Sequence, residues 1–481
     1  MPTVPVAMAA TRVVMHQLVM PSDVNVLGIC TGGQVLSWID LCAGLSAKTL
    51  AHGPCVTASV DAVHFLRPTR LGCVVIIAAM VARTFHTSME VVVVVESEDM
   101  RTGVRHHCCS AHLTFVVRGG AAGGLPRVHP TTAEHRAVWG GAELRRQQRL
   151  ERRARMRNSP ELREAEQMCR LQPITHREGG PTLPPAVTLL PHESPLARAA
   201  SAGGHPPPLS PGRQPPPAPW DLSPPEPAAT GCDDGATPSP SLLPPPLPPL
   251  LPRRQRVPPT CTTAYMTQSI LPQHANTLHI TFGGQVMSWM EQCAYISASR
   301  LRAPSLLTAA MDSVSFVQPT RVGDILYITA QVTAIFGSSL EVMVSVFGES
   351  PYAGAGSSGA AAGGGGGAAS AADGGGGGGG SGSSDACGIF HCADAYVTVV
   401  AVDERHASPV PVPFELDPKE PPDVLRYQGA VARRAERLAL RGQFTAAECT
   451  RVSLDGGHTY SPPSEAAEGT GTSVLDAIPP L

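Results

Sequence analysis

Asn25-Val-Leu-Gly28-Ile-Cys-Thr-Gly32-Gly33-Gln34-Val-Leu-Ser-Trp38-Ile-Asp40 returns 251 residues later as Asn276-Thr-Leu-His279-Ile-Thr-Phe-Gly283-Gly284-Gln285-Val-Met-Ser-Trp289-Met-Glu291. The offset of 251 holds without a gap from Met15/Met266 to Val91/Val342, and roughly thirty of those 77 positions are identical. A fixed self-similarity over such a length means one structural module used twice. Further on, His107-Cys108 through Thr114 match His391-Cys392 through Thr398 at an offset of 284. The difference of 33 residues falls on a Gly/Ala/Ser tract at 353–384, inserted between two strands of the second copy. Each copy then ends in a basic segment, in which Arg145, Arg146 and Arg149 correspond to Arg433, Arg434 and Arg437.

The repeat sets the domain organisation. One domain is expected over 11–157 and a second over 261–440, the second interrupted by the Gly-rich tract at 353–384. Between them, 158–260 is Pro-rich and reads as a disordered linker, and 441–481 reads as a disordered tail. With 36 basic and 39 acidic residues the net charge is −3, which argues against a nucleic-acid binder. The 13 cysteines include no C-x-x-C pair, which argues against a zinc site, and they suit a reducing compartment. Met1 to Ala10 lacks the basic region of a secretory signal, and no apolar run reaches the roughly 20 residues of a membrane span. A soluble, cytoplasmic protein is expected.

Within one module, Gly32 to about Leu50 is the best helix. Val35, Leu36, Ile39, Cys42, Ala43 and Ala47 recur at steps of three and four. Four β-rich runs follow, Cys55–Phe65, Cys73–Val81, Met89–Val95 and Cys108–Val117, with Pro68 and Gly72 marking the turn between the first two. Five consecutive valines, Val91 to Val95, mark a strand buried on both faces. The predicted fold class is α+β, with a long helix wrapped by an antiparallel sheet in each module.

The ordered set Asn25, Gly32-Gly33, Asp40, Thr57 to Asp61, Pro68-Thr-Arg70-Leu-Gly72 and Ser88-Met-Glu90, with its twin through Glu291, Val322-Gly-Asp324 and Glu341, resembles the acyl-CoA thioesterases built from two tandem hotdog domains. The resemblance implies that the two hotdog domains pair as an intramolecular pseudo-dimer. It also implies further assembly into a homo-oligomer, a trimer of such chains, and acyl-CoA as substrate. No metal and no separate cofactor is implied, because CoA is part of the substrate.

Thioester hydrolysis needs a polarised carbonyl, an activated water and a place for CoA. Unpaired N–H groups at a helix start favour negative charge, so Gly32, Gly33, Gly283 and Gly284 are candidate oxyanion donors. A carboxylate two turns along can act as general base, a role for Asp40 and Glu291. The resemblance implies composite sites, an Asn of one domain facing the acid of the other: Asn276 with Asp40, and Asn25 with Glu291. The Phe282-Gly-Gly start favours the Asn276/Asp40 pair. Arg70 and Arg321 in the turns, then Arg67, are candidate partners for CoA phosphates. Asp61, Asp312, Glu90 and Glu341 read as structural hydrogen-bonding groups, and Trp38 and Trp289 as core. The alternative to an acyl-CoA hydrolase is a non-catalytic acyl-CoA sensor or scaffold whose Pro-rich segment docks SH3-like or WW-like domains.

Overall fold

The computed structural model describes residues 5–118, 124–173, 254–351, 388–405 and 407–447. Most of the Pro-rich segment, the whole Gly-rich tract at 353–384 and the tail beyond 447 lie outside the described residues. Both modules belong to one compact unit, which excludes 186–253.

The first module runs β1 (Val6–Ala7), β2 (Val13–Leu18), α1 (Gly32–Ala51), β3 (Cys55–Val60), β4 (Val63–His64), β5 (Val74–Thr84), β6 (Ser88–Glu98), β7 (Arg105–Val117) and β8 (Val128–His129), closed by α2 (Ala133–Asn158) and α3 (Pro160–Cys169). The second repeats the order: β9 (Gln255–Val257), β10 (Ala264–Ser269), α4 (Gly283–Ser299), β11 (Ser305–Met311), β12 (Val314–Ser315), β13 (Ile325–Phe336), β14 (Ser339–Glu349), β15 (Ile389–Val402), β16 (Phe414–Leu416) and α5 (Pro421–Ala447). Each module wraps an antiparallel sheet around its helix, five strands of its own and a sixth from the other module, the hotdog arrangement. Among the described residues no helix is long and apolar enough to cross a membrane.

Three features depart from the sequence reading. A strand precedes the helix in each copy: β2 and β10 pair with β5 and β13 at the sheet edge. Residues of β2 alternate between half-buried and exposed, too short and too polar a pattern to stand out. Helix α3 lies inside the stretch read as linker, and α5 continues past 440 to Ala447. Finally, the first β-rich run breaks in two. Its second part, β4, leaves its own sheet to pair with β11, through His64 with Ala310 and Val63 with Met311. Reciprocally β12 pairs with β3, through Val314 with Val60 and Ser315 with Ser59. Each module thus completes the other's sheet.

The core follows the predicted periodicity. Leu36, Ile39, Cys42, Ala43 and Ala47 of α1 are fully buried, and Trp38 and Trp289 are buried. Val91, Val93 and Val95 have no exposed surface, while Val92 and Val94 on the other face of β6 keep 5% and 6%. Each buried large aliphatic side chain contributes about 1.5–3 kcal/mol.

The basic segments are structural helices with a repeated docking chemistry. In the first module Arg145 Nε and Arg149 Nη2 donate to the two oxygens of Glu90 at 2.8 and 2.5 Å, and Arg149 Nη1 donates to Asp61 at 2.8 Å. In the second, Arg433 Nη2 and Arg437 Nη2 donate to Glu341 at 2.6 and 2.8 Å, and Arg437 Nη1 donates to Asp312 at 2.7 Å. Glu90 and Glu341 are fully buried in strands, so the fixed guanidinium forks compensate a carboxylate that water cannot reach. Arg146 and Arg434 stack over Phe85 and Phe336, again at matching positions.

Candidate functional site

Helices α1 and α4 pack against each other along Gly33, Ser37 and Asp40 on one side and Gly284, Ser288 and Glu291 on the other. In both, the three residues are spaced by four and three, which puts them on one helix face. A Cβ on Gly33 would lie 2.8 Å from the Ser288 Cα, and one on Gly284 would lie 2.8 Å from the Ser37 Cα. Only glycine permits that approach. The helices run antiparallel across the contact, so the start of each meets the acid of the other.

Neither helix caps itself. Thr31 and Phe282, at the N-cap positions, make no side-chain cap bond, which leaves first-turn N–H groups without partners. The acids of the opposite helices fill that role. Gly32 N–H donates to Glu291 Oε1 at 3.2 Å, and Gly284 N–H donates to Asp40 Oδ2 at 2.9 Å. A threonine 17 residues after each acid adds a second donor: Thr308 Oγ1 to Glu291 Oε1 at 2.6 Å, and Thr57 Oγ1 to Asp40 Oδ1 at 2.7 Å. These threonines went unassigned in the sequence reading. Their signal is that Thr-Ala recurs at the same spacing in both copies.

Asp40 and Glu291 are buried, 3% and 6% exposed, and are not solvated helix positions. Burial raises the pKa of the Asp40 carboxyl, opposed by the Gly284 N–H and then Thr57. Burial likewise raises Glu291, opposed by Thr308 and then the Gly32 and Gly33 N–H groups. Three of the four N–H groups read as oxyanion donors, those of Gly32, Gly33 and Gly284, therefore bind the acids in this structure.

Asn25 and Asn276 are half-buried in the loops that enter the helices. Asn25 Oδ1 accepts from Leu27 N–H at 3.0 Å and Ile29 N–H at 3.2 Å, and Asn276 Oδ1 accepts from Leu278 N–H at 2.9 Å and Ile280 N–H at 3.2 Å. With the oxygen tied to the loop, each Asn is left with its Nδ2 amide as a free pair of donors.

The two halves differ in space. A cavity of about 500 Å³ is lined by Asn25, Thr31, Gly32, Phe65, Arg67, Glu291 and Thr308, with an apolar wall from Tyr295, Ile296, Leu306 and Leu307. Its counterpart measures about 140 Å³ and reaches Thr57, Gly283, Phe316 and Gln318 but not Asn276 or Asp40. The larger cavity thus joins Asn25 and Glu291, whereas the sequence favoured the other pair. Position for position, Arg67, Thr31 and Tyr295 of the larger cavity correspond to Gln318, Phe282 and Gly44. Arg67 is exposed at the cavity, its Nη1 2.7 Å from His106 Nδ1. Arg70 and Arg321 are exposed, bridged to Ile29 and Ile280 just before a turn, and line neither cavity.

A family model described as the thioesterase superfamily matches residues 27–104 and again 278–355. Among individual proteins, the chain is 30% identical over 337 residues to acyl-coenzyme A thioesterase 11 of Mus musculus, covering 70% of this chain and 43% of that one. It is 28% identical over 430 residues to the acetyl-coenzyme A thioesterase of Rattus norvegicus, covering 89% and 58%. An uncharacterized acyl-CoA thioester hydrolase of Bacillus subtilis (strain 168), YkhA, is 35% identical over 145 residues, which are 30% of this chain and 84% of that protein. The chain spans about half the length of the two mammalian proteins.

Proposed function

The chain belongs to the thioesterase superfamily, and from that premise we propose that it hydrolyses acyl-CoA to a free carboxylic acid and CoA at the Asn25/Glu291 composite site. The observation that carries this reading is the cavity of about 500 Å³ that holds an amide donor, a buried carboxylate and an apolar wall together. Thr308 and Gly32 both donate to Oε1 of Glu291, and the carboxylate lines the cavity, where it meets a water. That water loses one proton to Glu291 as its oxygen attacks the thioester carbon. The carbonyl oxygen gains negative charge and takes hydrogen bonds from Asn25 Nδ2, a donor held in place because Oδ1 is fixed to the loop. Collapse breaks the C–S bond, and the proton on Glu291 passes to the departing CoA thiolate. The acyl chain lies along Tyr295, Ile296, Leu306 and Leu307, and the CoA phosphates lie towards Arg67. Names of the similar proteins support the substrate class. We extend the proposal to a cytoplasmic homo-oligomer, a trimer of such chains.

Thiol release from acyl-CoAs of graded length, acetyl to palmitoyl, tests the reading. Asn25→Ala is expected to lose about 10²–10³ in kcat, the scale of one oxyanion donor, while Asn276→Ala stays far closer to wild type. The reverse order would move the reaction to the other half. No turnover on any chain length, with a non-hydrolysable acyl-CoA still bound, would favour the sensor or scaffold.

Arg67 gives a separate expectation. Its charge acts on a phosphate at the cavity rim, so Arg67→Ala should raise KM by about threefold to fivefold with kcat kept, as suits an exposed ion pair. The increase should shrink in high salt. An unchanged KM at low salt would remove Arg67 from CoA binding.

A further inference from the structure

We propose that Asp40 is a positioning residue for the Asn25/Glu291 site, acting through helix α4 rather than on substrate; the inference rests on the reading of that site as the hydrolytic one.

The two acids are held alike, by a threonine and by the N–H groups that start the opposite helix, but they differ in what lies beside them. Glu291 takes Gly32 N–H and Thr308 Oγ1 on Oε1, is also reached by the Gly33 N–H, and lines the larger cavity. The donors to Asp40 are split, with Thr57 on Oδ1 and Gly284 on Oδ2, so each oxygen of Asp40 is engaged. Asp40 is also absent from the lining of the smaller cavity, which extends to Thr57 and Gly283 only. A carboxylate with both oxygens engaged, 3% exposed and beside no described cavity is poorly placed to activate water.

What Asp40 does hold is the start of the helix that carries Glu291. Phe282 offers α4 no side-chain cap, and the bond from Gly284 N–H to Asp40 supplies one from α1. A Cβ at Gly284 would lie 2.7 Å from the Asp40 Cβ, so this turn is seated on α1 without slack. Glu291 follows Gly284 by seven residues, on the same face and about 10.5 Å further along the axis. Asn25 belongs to the loop that enters α1. Any sliding or rotation of α4 against α1 therefore changes the separation of Asn25 and Glu291, and Asp40 is a bond that opposes it.

Full-length Asp40→Ala, Asp40→Asn and Glu291→Gln would be compared by kcat, KM and the pH profile of kcat/KM on an acyl-CoA that the wild type hydrolyses. Asp40→Ala is expected to lower kcat by about tenfold to a hundredfold, the cost of a small misplacement of reacting groups, with KM within about twofold. The acid limb should move to lower pH, because a loosened α4 admits water to Glu291. Asp40→Asn keeps an acceptor for Gly284 N–H and should restore most of the lost kcat and the position of the limb. An Asp40→Asn enzyme that is folded yet as inactive as Glu291→Gln would overturn the proposal, since only a base needs the charge. So would an Asp40→Ala enzyme with wild-type kcat and limb. If Asp40→Ala does not fold, Asp40→Asn alone decides. A fully active Glu291→Gln would instead remove the underlying site assignment.

Discussion

Glu291→Gln is expected to cut kcat by about 10²- to 10⁴-fold while the chain stays folded. Gln keeps a carbonyl oxygen where Oε1 accepts from Thr308 and Gly32, so the packing of α4 on α1 survives and only the proton acceptor is lost. The pH profile gives a second readout. A general base works only when ionised, and burial holds the Glu291 carboxyl above the ordinary glutamate range. The rate therefore rises with pH through that raised value and is lost as pH falls through it, at a higher pH than a solvated glutamate would give. The residual activity of Glu291→Gln should lack this limb. Wild-type turnover that stays flat down through the ordinary glutamate range would exclude Glu291 as the base.

Glu341→Ala is expected to destabilise the fold by about 3–5 kcal/mol, the usual cost of stripping one partner from a buried ion cluster. Glu341 has no exposed surface and takes Arg433 Nη2 at 2.6 Å, Arg437 Nη2 at 2.8 Å and Thr333 Oγ1 at 3.2 Å. Alanine leaves two guanidinium groups facing an apolar strand, with Asp312 the acid still bonded to Arg437. The measurement is urea unfolding monitored by circular dichroism. Adding Arg433→Met and Arg437→Met to Glu341→Ala should recover part of the loss, because the stranded charges go with them. A single-mutant loss below about 1 kcal/mol would mean that apolar contacts, and not the ion cluster, hold α5 to the sheet.

Much of this was legible in the chain. The constant 251-residue offset gave the duplication, and the three-and-four spacing after Gly32 gave the central helix. The recurrence of Arg145/Arg149 as Arg433/Arg437 marked a segment common to both modules, and both copies dock on a buried glutamate. What stayed hidden depends on contacts between distant segments. Two-residue strands such as Val63–His64 have no periodicity, so the exchange of β4 and β12 left no pattern to read. The glycine N–H groups are free in an isolated helix; only the crossing of α1 and α4 shows the acids already bound to three of them. The choice between the Asn/acid pairs likewise rests on shape. Asn25 and Asn276 are bonded alike, and it is Tyr295 against Gly44, and Arg67 against Gln318, that accompany the unequal cavities.

Because Ser59 and Val60 find their edge partners only at Ser315 and Val314, the amino-terminal half leaves the ribosome with an unfinished sheet. From Val60 to Ser315 is 255 residues, which at roughly 5–20 residues per second is a wait of about 10–50 s. Through that interval β3 is an open edge, the kind of surface that a foreign strand can pair with. Neighbouring ribosomes on one message carry the same two halves at staggered stages of completion. The β12 of an older nascent chain carries the same Val314 and Ser315 edge that β3 of a younger one awaits, so crowded translation offers a route to swapped dimers.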